Sequence, residues 1–124
     1  MTEKEIFIEK FKKRTKKFAV DAIFFCDSLK ACKASSVITY QFIKSATSTG
    51  ANYRAACRVR SKSEFFSKIC IVVEEADESE YWLEIIHETN LSNAKEELIR
   101  LITESNEITK IMTKAKNSSY ARNM

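Results

Sequence analysis

Apolar positions recur along this chain in alternating steps of three and four, the repeat of a helix that turns one stripe toward a core. The first stripe is Phe7, Phe11, Thr15, Phe18, Ala22, Phe25, Leu29 and Cys32, which predicts a helix from about Glu3 to Cys32. A short link at Lys33-Ala34 leads to Ser35 or Ser36 as the expected N-cap of a second helix. That helix runs to about Arg60 and turns inward Ile38, Phe42 (or Gln41), Ser45, Thr49 (or Ser48), Asn52, Ala56 and Val59. The third, to about His87, places Phe65, Ile69, Val72, Ala76, Ser79, Leu83 and Ile86 on one side. Ser92 or Asn90 caps the fourth, whose stripe is Ala94, Leu98, Leu101, Ser105, Ile108, Met112 and Ala115. Residues 118–124 are expected to fray. Short connections between four such helices predict an all-α fold, an antiparallel up-down-up-down four-helix bundle with residues 1–124 as one domain.

Composition sharpens this picture. Among 124 residues there is no proline and a single glycine, Gly50, whereas strand-rich folds need both at their turns. Gly50 ends a run of small residues, Ser45 to Gly50, that would suit a loop, but the apolar period continues in phase on both sides and favours helix. A glycine inside a helix costs roughly 1 kcal/mol relative to alanine, a cost tolerated where another backbone comes close. Close helix packing at Ser45–Gly50 is therefore expected. Ser61 and Glu64 have the spacing of a capping box at the head of the third helix. In the first helix, Phe18, Ala19, Val20 and the run Ala22 to Cys26 cover most of the circumference. A helix that is apolar all round must be covered all round, and one bundle has only one interior, so a second subunit is expected on the outer face.

Charge is unevenly divided. Residues 1–68 carry 15 Lys/Arg against 6 Asp/Glu, and residues 69–124 carry 6 against 11, inside an overall charge of +4. The candidate nucleic-acid-binding residues are Lys12, Lys13, Arg14, Lys16 and Lys17 on the first helix and Arg54, Arg58 and Arg60 around the end of the second. A solvated helix face is the plainer reading of the same residues; copies arranged in a ring would add their phosphate contacts together. Ser48 and Asn52 on the second helix, with Glu75 and Glu78 on the third, are expected to form a polar network that fixes register, one carboxylate pairing with Asn52 or an arginine.

Enzymatic signals are sparse, and neither a catalytic residue nor a cofactor is expected. Glu84-Ile85-Ile86-His87 has the Glu-x-x-His spacing of di-iron bundles, but such a site needs two of these motifs and His87 is the only histidine. That histidine cannot serve a nucleophile either, and one glycine cannot build a phosphate loop. The cysteines Cys26, Cys32, Cys57 and Cys70 contain no C-x-x-C pair and read as free thiols of a reducing compartment. Apolar runs such as Ala22 to Cys26 are too short to span a bilayer, and the N-terminal MTEKEIFIEKFKKR lacks a leader's apolar core, so a soluble cytoplasmic protein is expected.

Three segments, Ser45 to Arg54, Ser63 to Ile69 and Glu74 to Leu83, resemble the four-helix-bundle proteins encoded in intervening sequences of bacterial 23S ribosomal RNA genes. The chain departs from that pattern at Ala55, where the family tends to carry a glutamate. The resemblance implies a homopentamer of bundles arranged as a barrel, in a family mostly without known activity. A related branch, the accessory subunits of diversity-generating retroelements, forms a basic barrel that binds reverse transcriptase and nucleic acid. By that analogy the expected partners are other copies of the chain, RNA or DNA, and a nucleic-acid enzyme such as a reverse transcriptase. The rival expectation is a protein–protein adaptor whose charges serve solubility and subunit contact.

Overall fold

The computed structural model describes the backbone of residues 1–123 and the side chains of residues 1–119. The chain forms helices α1 (Glu3–Phe25), α2 (Lys33–Ala56), α3 (Lys62–Glu88) and α4 (Lys95–Asn123), with a short 3₁₀ turn at Cys26–Ser28. They pack as the expected antiparallel bundle. The expected fraying of residues 118–124 falls for the most part outside the described side chains.

The core is built from the predicted stripes. Phe18, Phe42, Ile69, Val72, Leu83, Ile86, Leu98, Leu101, Ile108 and Met112 are all but fully buried. Phe42 sits at its centre between Phe18 and Phe25, each ring centroid 6.5 Å away and edge-on. A layer of hydroxyls crosses this core. Ser79 donates to Ser45 at 2.9 Å, and Thr49 donates to the Ser45 carbonyl at 2.8 Å, so burial leaves neither group unpaired. Gly50 is where α2 meets α1: a Cβ there would lie 3.3 Å from the backbone carbon and oxygen of Thr15. Some inner positions depart from expectation, among them Cys32, which is exposed beyond the end of α1. Tyr53, not Asn52, is buried in α2, its ring 4.9 Å from Phe11, while Asn52 bonds back to Ser48. Phe7 belongs to the predicted core stripe but is 46% exposed, because Ala56 and Ala115 near it are too small to cover it.

Helix ends show which local signals prevail. Thr2 caps α1, its hydroxyl accepting from the Glu5 amide at 3.1 Å. The helix stops at Phe25 rather than Cys32. Ser28 donates to the Phe25 carbonyl at 2.7 Å, and the Lys30 amide leaves the helix to donate to the Leu91 carbonyl at 2.8 Å. Ser28 and Ser92 share a hydroxyl bond of 2.6 Å, and Leu29 forms a lone antiparallel bridge with Ser92. The connections α1–α2 and α3–α4 are thus tied together at one end of the bundle. Cys32 takes the N-cap position of α2, and Ser35, expected there, lies inside the first turn and donates to the Lys30 carbonyl. The second helix ends at Ala56, four residues early, in a turn closed by the Arg58 amide on Ala55. Ser61 caps α3 as predicted, but Glu64 reaches the amide of Arg60 rather than that of Ser61. At the other end Asn90 adopts φ 55°, and the Leu91 and Asn90 amides bond Ile86 and His87 in a Schellman closure. Ser92 accepts from the Ala94 amide ahead of α4.

α3 packs broadly on both α2 and α4, whereas α1 rests mainly on α2 and meets α4 over a much smaller seam. Among the described residues no helix is long and apolar enough to cross a membrane.

Candidate nucleic-acid interface

The eight predicted basic residues do not form one set. Arg14 leans across the α1–α4 seam and grips Glu104 with two parallel bonds, Nε to Oε2 at 2.8 Å and Nη2 to Oε1 at 2.7 Å, with Glu107 at 3.2 Å. The Glu104 hydrogen bonds hold its guanidinium well above its already high ordinary value, against the opposing effect of burial. Arg14 is a tether between helices, with its charge matched inside the molecule. Lys12 pairs with Glu9 at 3.4 Å and Lys17 with Asp21 at 2.7 Å. Such exposed pairs are worth little and open readily to a competing anion.

The remaining predicted cations, Lys13, Lys16, Arg54, Arg58 and Arg60, are exposed and make no ion pair among the described residues. Lys13 and Lys16 are three positions apart, which keeps them on one side of α1. Contact between Phe11 and Tyr53 sets Arg54 level with the turn of α1 just before them. Lys13 and Arg54 therefore lie toward the same end of the α1–α2 hairpin, with Arg58 and Arg60 beyond it in the α2–α3 connection and Glu3, Glu5 and Glu9 exposed at the same end. The other end exposes a set of apolar side chains, Val20, Ile23, Phe24, Val37 and Tyr40, Phe24 to 69% and Tyr40 to 64%, with Asp27, Lys30 and Lys33 exposed among them.

The predicted polar network is formed only in part. Asn52 donates to the carbonyl and the hydroxyl of Ser48, both at 2.9 Å and both within α2. Glu78 accepts from the Trp82 indole at 3.1 Å within α3. Among the described residues neither Glu75 nor Glu78 bonds to Asn52, Arg54 or Arg58; a side-chain hydrogen bond from Ser79 to Ser45 joins α3 to α2 instead. Burial, with Glu78 close by, pushes the Glu75 carboxyl above its ordinary value against the pull of Lys44. Sequence reading also missed a second tether on the α1–α4 seam. Arg100 binds Asp21 at 2.7 Å and Glu97 at 2.6 Å, and nothing in the local pattern joins residues 79 positions apart. Among the described residues no three of His, Cys, Asp and Glu gather as a metal site.

A family model described as 23S rRNA-intervening sequence protein matches residues 10–114. A crystal structure from Bacteroides thetaiotaomicron VPI-5482, of a protein with unknown function from the S23 ribosomal protein family, is similar at 31% identity with a TM-score of 0.76. The similarity covers 85% of this chain and 96% of that one. No curated protein matches.

Proposed function

The chain belongs to the family of 23S rRNA-intervening sequence proteins, and from that premise we propose that it is a non-enzymatic, homo-oligomeric bundle whose basic side chains bind RNA or DNA. The observation that carries this reading is the division of the α1–α2 hairpin. Its half with exposed apolar side chains, Phe24 to 69%, supports a subunit contact, and its other half with the adjoining α2–α3 connection offers five cations without an ion-pair partner among the described residues. Assembly repeats those five charges around one particle. Phosphate contacts that are each weak then act together, with release of condensed counterions as the driving term. Five copies follow from the family resemblance. By analogy with the accessory subunits of diversity-generating retroelements, the particle serves as a scaffold for a nucleic-acid enzyme such as a reverse transcriptase.

Filter binding of single- and double-stranded RNA and DNA across a salt series, with sedimentation of the same samples, tests the proposal. Affinity should fall steeply with salt, and Lys13→Ala/Lys16→Ala should flatten the logarithmic slope by about one per lost phosphate contact. Absence of binding even at low salt would reject it. A protein–protein adaptor is the second reading, favoured by exposed Tyr81 packed edge-on against Trp82 beside the acidic run of α3. It predicts no salt-sensitive binding at all.

A further inference from the structure

A cleft of about 430 Å³ opens at the end of the bundle where the start of α1, the α2–α3 connection and the end of α4 converge. It exists because large and small side chains are mismatched there. Phe7 stacks on Phe11 with centroids 5.5 Å apart, yet Ala56 and Ala115 stand where larger residues would close the bundle. The floor is apolar, formed by Phe7, Phe65, Ile69 and Met112, with Tyr53 and Cys57 beside it. Around the mouth stand Lys4, Arg60 and Lys62, and among the described residues no acidic side chain lines the cleft. None of the three cations makes an ion pair among the described residues.

A volume of this size is in the range that takes a small ligand. The floor offers little to satisfy the several polar edges of a nucleobase, and burying those edges unpaired would cost affinity. An aliphatic chain needs no such partners. Glu64 stands beside the mouth but its carboxylate is turned to the Arg60 amide, and among the described residues Lys4, Arg60 and Lys62 keep their charges unpaired, which suits a single negative group at the chain's end. We propose that this cleft binds a free medium-chain carboxylate, its chain along Phe7, Phe65 and Met112 and its head group among Lys4, Arg60 and Lys62. The site does not depend on nucleic-acid binding; only Arg60 belongs to both.

Calorimetric titration of the full chain with decanoate, below its micelle concentration and in low salt, tests the assignment. Binding should saturate at one molecule per chain and tighten roughly two- to four-fold for each methylene from hexanoate to decanoate. Decanol should bind several-fold more weakly. Arg60→Gln/Lys62→Gln should weaken decanoate by roughly three- to ten-fold, the modest effect of exposed cations, and Ala115→Trp should abolish binding by filling the cleft. Circular dichroism checks that each variant folds; if Ala115→Trp does not, the double variant still decides, since both its side chains are exposed. No binding, equal affinity for decanol, full affinity in either folded variant, or capture only on anionic phosphatidylglycerol vesicles would each overturn the proposal.

Discussion

Gly50 shows how one residue can carry a tertiary contact that is readable in advance. A lone glycine inside an in-phase helical pattern signals close approach, and the Thr15 backbone lies 3.3 Å from where its Cβ would stand. Gly50→Ala should be nearly neutral in urea unfolding, because a helix-propensity gain of about 1 kcal/mol opposes the squeeze. Gly50→Leu should destabilise by about 2 kcal/mol, the usual scale of overpacking; an unchanged midpoint would mean that α1 moves aside freely. Tyr53 was less legible. Asn52 and Tyr53 are adjacent, and a stripe stepped in whole residues drifts against the true period of 3.6, so the pattern selected the wrong neighbour. Titration behaves in the same local way. Burial alone would raise the Asp21 carboxyl, but Lys17 and Arg100 hold it below its ordinary value of 3.8, and the Arg100 hydrogen bond likewise lowers Glu97 from 4.5. Folded-state values below the unfolded ones mean that this stability is present above about pH 4 and is lost as pH falls through the folded values. The melting temperature should therefore drop on acidification below about pH 4, and Arg100→Gln should make that acid limb shallower.

Among the four helices, α1 is attached differently from the rest. It lies on α2 through Phe11, Phe18 and Gly50, but its seam with α4 depends on Arg14 with Glu104 and on Asp21 with Arg100. A bidentate, half-buried pair couples more strongly than an ordinary surface pair. A double-mutant cycle of Arg14→Ala and Glu104→Ala should give a coupling of about 1 kcal/mol, and amide exchange in α1 should be faster than in α3. A coupling near zero would return Arg14 to the pool of free cations. This is also where sequence reading fell short for the candidate site. Helix faces are local and legible, but Arg14 and Glu104 are 90 residues apart, so which cations are left for an external partner depends on packing. The premature end of α1 has the same cause: Lys30 finds a better acceptor in Leu91, on a distant connection, than in its own helix.

For the whole molecule, the over-apolar first helix has its counterpart in the exposed Val20, Ile23 and Phe24. On the proposed assembly, Phe24→Asp should lower the sedimenting mass toward that of one chain while leaving its melting nearly unchanged, since the side chain is 69% exposed and contributes little to the core. Loss of helix instead of mass would show that Phe24 serves the fold. The bundle itself was legible because its signal repeats over every turn of four helices. The number of copies in the proposed assembly is not legible in the same way, because an apolar outer face leaves open the angle at which copies would meet. The tie among Ser28, Lys30, Leu91 and Ser92 has a mechanical consequence. With that pole held, any tilt of α1 would show most at the opposite pole, as the jaw of a pair of tongs does. With α1 about 35 Å long, a swing of about five degrees carries its free tip roughly 3 Å. That is enough to widen or narrow the gap beside Lys4 without melting a single helical turn.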